Sequence, residues 1–340
     1  MGRIDLKPNR RKIAGCQTVV GLPRPALVMV ALINVVLSTV LWSQTSFEWL
    51  ADAAHPRGLA LANSTIAAQL PTEAVGLNPA GLAAIADSSR PVRRVEFGLR
   101  LYPAGISQRA VQLVMSARSQ VVALDIRNMN YGVFQGYDID GQETGNYGAG
   151  DLLVRVAIAR RLGRIITVGA TVGGLYSRLE EVRAGTLLWS LGLQLAVPRF
   201  DLRLGAVAQN RGRLLNQYTP SALPDELPTA LLVGAAKTLA HLPLTLYVTA
   251  GRLEGLDNPV WRLGGEFTLP LGIQLRLGVD EGKTDYARGA AYSDLLSGFS
   301  LGLGLVTNRG HRDKRLTVDG AVKNLGPLGL SSAFALGLEF

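Results

Sequence analysis

Cysteine is almost missing from this 340-residue chain. With Cys16 alone, no disulfide can close within the chain and no cysteine set can hold zinc. Ile13-Ala14-Gly15-Cys16 has the look of a lipid-attachment box, but no apolar segment precedes it, and the match is read as chance. Histidine is scarce as well. His55, His241 and His311 lie far apart, and none has a partner at metal-ligand spacing. A Gly-x-Ser-x-Gly elbow is absent, which removes one common serine-hydrolase layout. Gly302-Leu303-Gly304 has no helix pattern after it, so it is not read as a nucleotide loop. Asp138-Ile139-Asp140-Gly141 begins like a calcium loop, yet the later chelating positions are not filled. The expectation is no enzyme, no metal and no cofactor.

Long apolar runs are also few. Only residues 25–42, PALVMVALINVVLSTVLW, could span a bilayer as a helix. Arg3, Lys7, Arg10, Arg11, Lys12 and Arg24 precede that run, and Ser43-Gln44-Thr45-Ser46 follows it. This is the layout of a secretory signal peptide over residues 1–43, with an uncleaved anchor as the alternative. On either reading the remainder leaves the cytoplasm. The same basic residues supply much of the net charge of +9. No basic helix or basic stripe with interleaved aromatics follows, so nucleic acid is not an expected partner.

What the chain has in abundance is glycine, 39 residues, too many for a helical bundle. It also has alternation. Val95, Phe97, Leu99 and Leu101 point one way, and Glu96, Gly98, Arg100 and Tyr102 the other, the period of two that a strand imposes. The pattern recurs at residues 111–117, 122–126, 152–158, 166–172, 187–195, 200–208 and 231–235. It continues at 244–250, 261–269, 273–279, 299–305, 316–322 and 334–340. That makes about fourteen segments of about nine residues, the length with which a tilted strand crosses a bilayer. Links after even segments are short, as at 161–164 and 269–272. Links after odd segments are longer, as at 131–150, 174–185 and 209–228. Outer-membrane barrels show this asymmetry, with short periplasmic turns and longer external loops.

The two faces agree with a barrel. One is apolar. The other carries glycines and the charges Glu96, Arg100, Arg155, Arg203, Arg262, Glu266 and Arg276, a set suited to a lumen. On the lipid face each charge near the midplane would cost about 2–4 kcal/mol. The final strand ends on Phe340, the pattern of a C-terminal signal read by barrel-assembly machinery. A buried last strand of a soluble β-protein is the competing reading. Aromatics make up only 6% of the chain, a thin supply for interfacial girdles.

Residues 44–94 do not alternate. Their centre, RGLALANSTIAAQLPTEAVGLNPAGLAAIA, is rich in alanine and small residues. Here the sequence resembles the FadL-type outer-membrane transporter superfamily and, within it, the PorV/PorQ group. The sharp match is Asn78, Pro79, Ala80, Gly81 and Leu82. Gln209-Asn210-Arg211-Gly212 and Lys323-Asn324-Leu325-Gly326 look similar to the Asn-x-Gly turns of that group, each placed after a strand. Residues 76–77, Gly-Leu, depart from the acidic and aromatic pair often found before Asn-Pro-Ala.

The resemblance implies an all-β fold: a transmembrane antiparallel barrel of fourteen strands over residues 95–340, with residues 44–94 as a hatch inside the lumen. It implies passive transport of a hydrophobic small molecule held near Leu70, Val75 and Leu77. The alternative it leaves open is a non-transporting component of type IX-like secretion, with secretion-system proteins as partners. Either places the chain in the outer membrane, among outer-membrane lipid.

Overall fold

The computed structural model describes residues 46–86, 91–117, 119–216, 218, 226–254, 259–281, 296–308 and 314–340. The expected signal peptide, residues 1–43, lies outside the described residues, and all that follows concerns the unit that runs to Phe340.

Fourteen strands close into one antiparallel barrel. They are β1 (Arg93–Leu101), β2 (Ser107–Ala117), β3 (Gln120–Tyr137), β4 (Glu143–Leu162), β5 (Ile166–Leu179), β6 (Val182–Val197) and β7 (Leu202–Asn216). After them come β8 (Ala230–Thr238), β9 (Leu244–Leu253), β10 (Val260–Thr268), β11 (Ile273–Asp280), β12 (Phe299–Asn308), β13 (Arg315–Asn324) and β14 (Leu330–Glu339). Each pairs with its sequence neighbours, and β1 pairs with β14, Phe97 opposite Leu336 and Leu99 opposite Phe334. Closure leaves no free edge. Phe340 continues the seam through reciprocal backbone bonds with Arg93.

Alternation decides which side chain goes where. Phe97, Leu113, Ile126, Val154, Val172, Leu191, Leu277 and Phe334 all point outward and are exposed. They form the apolar belt that a bilayer requires. This architecture is that of an outer-membrane protein. Among the described residues no helix is long and apolar enough to cross a membrane.

The hairpins differ from the expected links in one respect. The stretch 174–185 is mostly strand, and β5 and β6 are joined by Glu180 and Glu181 alone, with Glu180 at φ 55. Likewise β3 and β4 run on to Tyr137 and Glu143. Beyond the hydrocarbon core of the bilayer a hairpin needs no apolar outer face, so its strands lose the alternation that marks them within it. At the opposite end the turns are tight. Leu271 and Gly272, joining β10 to β11, both take left-handed backbone, φ 64 and 78.

Gln209-Asn210-Arg211-Gly212 is not a turn after a strand. It lies inside β7, at a register shift between Trp189 and Leu191 of β6, where Asn210 takes φ 51. Asparagine tolerates that conformation better than most residues. Lys323-Asn324-Leu325-Gly326 does close a turn, with Asn324 Oδ1 accepting from Gly326 N at 2.8 Å.

Residues 46–86 lie within the ring of strands. They contain short helices at Pro56–Ala60 and Pro71–Ala74 and a 3-10 turn at Pro79–Ile85. Nearly every side chain from Trp49 to Leu82 is buried. The first helix packs on β11 to β14, and the 3-10 turn on β3 to β6.

Candidate functional site

Glycine makes room for this inner segment. A β-carbon on Gly192 would come 1.9 Å from Asn78 Oδ1, and one on Gly169 would come 2.4 Å from the Pro79 carbonyl carbon. Gly205, Gly264, Gly278 and Gly302 stand equally close to Ile66, Ser64, Ala62 and Ala60. The inward glycines thus trace the path of the segment around the lumen from β5 to β12, each removing a side chain where backbone meets wall.

Between the glycines, inward amides and hydroxyls hold the segment's carbonyls, which have no ladder of their own. Gln194 Nε2 donates to Ala68 O at 2.8 Å and Gln112 Nε2 to Thr72 O at 2.9 Å. Thr249 Oγ1 donates to Ser64 O at 2.8 Å and Ser300 Oγ to Ala60 O at 2.9 Å. Gln209 Nε2 reaches Leu77 O, and the bulged Asn210 sends Nδ2 to Leu50 O at 3.2 Å. Buried carbonyls need such donors.

Asn78 is the pivot of the motif. Its Oδ1 accepts from Ala80 N at 3.1 Å and caps the 3-10 turn, with Pro79 at the first position, where its missing N–H is not needed. Asn78 Nδ2 donates to Ile66 O at 2.7 Å and lies 3.4 Å from both Leu193 O and Ala206 O of the wall. Ala80 and Leu82 are fully buried, and a β-carbon on Gly81 would press on Ala68 O at 2.7 Å.

The lumen charges fall into clusters that tie the segment to the wall. Glu266 receives Arg57 Nε at 2.7 Å and Arg276 Nε at 2.8 Å, and Arg276 also meets Asp319. Arg100 donates to Asp52 Oδ2 and Ala53 O, each at 3.0 Å, and stacks on Tyr102 at 4.3 Å. Arg262 pairs with Glu281 at 2.9 Å. Asp125 Oδ2 takes Arg155 Nη2 at 2.7 Å and Arg127 Nε at 3.0 Å. Glu96 faces Arg94 at 2.7 Å and His55 Nδ1 at 2.9 Å, though the imidazole N–H is not aligned for a hydrogen bond.

Glu73 completes this region. Its Oε1 accepts from Gly58 N at 2.8 Å, while Oε2 is buried without a partner. Burial raises the Glu73 carboxyl to about 7, against the pull of nearby His55. Burial opposes the charge on His55, but Glu96 outweighs it and holds the imidazole above its ordinary value. Asp52 is only partly exposed, which opposes its charge, yet Arg100, Lys323 and Arg262 draw its carboxyl down to about 2.

The lumen is divided in character. Toward the long hairpins, Trp49, Leu50, Met129, Leu153, Leu175, Leu188 and Leu227 form an apolar cluster inside the barrel. One carboxylate borders it. Asp151 accepts from Trp49 Nε1 at 2.9 Å and Tyr131 OH at 2.7 Å, and from Ser177. At the tight-turn end a cavity of about 400 Å³ opens between the inner segment and β6 to β10, lined by Arg57, Leu70, Pro198, Arg203, Thr238 and Tyr247 among others.

Of the residues expected to hold a ligand, only Leu70 borders this cavity. Val75 packs with Leu82 and Val114, and Leu77 with Val207 and Leu232. Six of the seven expected lumen charges are paired as described. Arg203 stands apart at the cavity and has no acidic partner among the described residues. Sequence reasoning missed Trp49, Asp151, Gln194 and Gln209. Their signal is polar or aromatic character at inward positions or in the inner segment, which alternation alone does not separate from ordinary lumen lining.

No protein-family model matches the sequence, and no curated protein matches it. Solved structures do share the fold. The CymD monoaromatic hydrocarbon channel superposes with a TM-score of 0.56 at 12% identity, over 85% of this chain and 97% of that one. The toluene transporter TbuX of Ralstonia pickettii gives 0.55 at 14% identity, over 85% and 98%. The toluene transporter TodX of Pseudomonas putida gives 0.51 at 10% identity, over 88% and 98%. At these identities the likeness is one of fold.

Proposed function

We propose that the protein is a FadL-like passive channel for hydrophobic small molecules, with residues 46–86 as its hatch. The observation that carries this reading is the apolar cluster around Leu153, Leu175 and Leu188 on the inner wall toward the long hairpins, in a barrel whose lumen also holds several buried charge clusters. A water-filled pore has no use for such a lining; an apolar solute leaving water gains about 25 cal/mol per Å² buried there. Solute collects among these residues, and a shift of the hatch joins the cluster to the cavity beside Leu70. The named activities of CymD, TbuX and TodX agree with this class of solute. The Asn78–Leu82 motif, the point of resemblance to the PorV/PorQ group, serves as the anchor about which the hatch is held. The secretion-component reading draws on that same stretch and on no feature of the barrel.

A tether tests the proposal. A β-carbon on Gly234 would lie 3.2 Å from the Ile66 β-carbon, near the roughly 3.5–4.5 Å of a disulfide. Ile66→Cys with Gly234→Cys, in a Cys16→Ser background, fixes the hatch to β8 when oxidised. Toluene flux into proteoliposomes is expected to stop on oxidation and return with reductant. Equal flux in both states, with the disulfide verified, refutes a moving hatch.

A further inference from the structure

The outer surface carries a feature that transport does not use. On the lipid-facing side of β5, β6 and β7, near the long-hairpin end, four arginines are exposed: Arg178, Arg183, Arg211 and Arg213. Arg178 stands directly opposite Arg183 across β5 and β6. Side chains directly opposite in an antiparallel pair share a face, and like charges placed so destabilise it. Arg211 stands opposite Trp189, and Arg213 opposite Leu187, both exposed positions of the apolar belt. Tyr176, also exposed, lies on the same face between the two pairs.

None of the four guanidiniums has an acidic partner among the described residues. Glu180 and Glu181 sit at the tip of the same hairpin, yet neither forms an ion pair with Arg178 or Arg183. Among the described residues nothing relieves the repulsion between Arg178 and Arg183. Trp and Tyr beside arginine are the residues of a membrane–water interface. Long arginine stems can lie along apolar surface while their heads reach the headgroup layer. The guanidinium fork matches phosphate oxygens two at a time.

We propose that this face of β5 to β7 binds the phosphate groups of an anionic lipid in the outer leaflet, with Arg178 and Arg183 sharing one phosphate and Arg211 and Arg213 meeting a second beside Trp189. Its acyl chains would lie against Val172, Leu187 and Leu191. The inference rests on the outer-membrane placement of the barrel and not on what passes through it.

Diphosphorylated lipid A, titrated into the folded full-length protein in an uncharged detergent, tests it by native mass spectrometry. Arg178→Gln with Arg183→Gln and Arg211→Gln with Arg213→Gln are expected to weaken binding by about tenfold or more per pair, as loss of charge-assisted hydrogen bonds implies. Lysine in place of each glutamine is expected to restore part of it. Dephosphorylated lipid A should bind poorly to the native protein, and inorganic phosphate should not compete at matched concentration. Equal binding by the glutamine variants overturns the site, and so does equal binding of the dephosphorylated lipid. Full competition by inorganic phosphate also overturns it, since a free-anion site needs no membrane. Resistance to unboiled detergent on a gel confirms that each variant is folded. The Arg178 and Arg183 pair, at the hairpin tip, serves alone should the fourfold change prevent folding.

Discussion

Asn78 occupies the space that Gly192 leaves empty: a β-carbon there would come 1.9 Å from Asn78 Oδ1. The motif of the inner segment and a glycine of β6 are thus two halves of one contact. Gly192→Ala is predicted to push Asn78 off its cap and loosen the segment while the barrel still closes. Limited proteolysis within residues 46–86 checks this, with faster cleavage expected and unchanged mobility of the unboiled barrel. Asn78→Ala should act alike, losing about 1 kcal/mol as a cap and more for the Ile66 carbonyl it strands.

Acidity should tighten the seat of the segment. Glu73 titrates at about 7 when buried and near 4.5 when free, so the folded form binds the extra proton between those values. Stability is then greatest below pH 4.5 on this account and falls as pH rises toward 7. His55, held above its ordinary value, works in the same direction at higher pH. Asp52, drawn down to about 2, opposes only below its free value of 3.8. Hydrogen-exchange protection across residues 55–77, taken relative to the intrinsic amide rate at each pH, should therefore fall from pH 4.5 to 7.5. Glu73→Gln should flatten that slope, and an unchanged slope in this variant would remove Glu73 from the account.

Fourteen strands are legible in the sequence because one physical demand, lipid outside and lumen inside, is written into every second residue. The same parity places Glu96, Arg100, Arg155, Arg262, Glu266 and Arg276 on the inner face. Their partners are not legible. Arg57, Asp52 and His55 come from a segment with no periodicity, and only the path of that segment brings them to Glu266, Arg100 and Glu96. The inward glycines are legible as lumen positions, but that they trace a second piece of chain emerges only from the fold. Hairpin length is hidden for a related reason: beyond the hydrocarbon core of the bilayer, residues 174–185 keep strand geometry and drop the pattern.

Breaking the deepest ion cluster should be severe. Arg155 and Asp125 are fully buried, 2.7 Å apart, with Arg127 as the third member. Asp125→Ala leaves two guanidiniums facing each other without their anion. Loss of a buried partner costs about 3–5 kcal/mol, so the variant should unfold at distinctly lower urea. A midpoint within error of the parent would show that water, not Asp125, satisfies these arginines.

Trp49→Phe offers a milder probe of the apolar cluster. It keeps most of the ring and removes the Nε1 donor to Asp151, a hydrogen bond to a carboxylate worth about 1.5–3 kcal/mol. Hydrogen exchange is expected to rise in residues 46–54, with little change in β8 to β11. A barrel-wide rise would instead make Trp49 a core residue of the whole fold.

The seam between β1 and β14 also dictates an order of events. The inner segment precedes β1 in the chain, and the wall that encloses it is complete only when β14 has found β1. Before that moment there is no chamber to enter; afterwards the chain from Trp49 to Ala86 would have to thread a closed ring and find each glycine in turn. The economical route is for the sheet to curl around a segment already lying along it, so that Gly192, Gly205 and Gly264 act as a mould during assembly. In that order the piece that later fills the ring is also the former on which the ring is built.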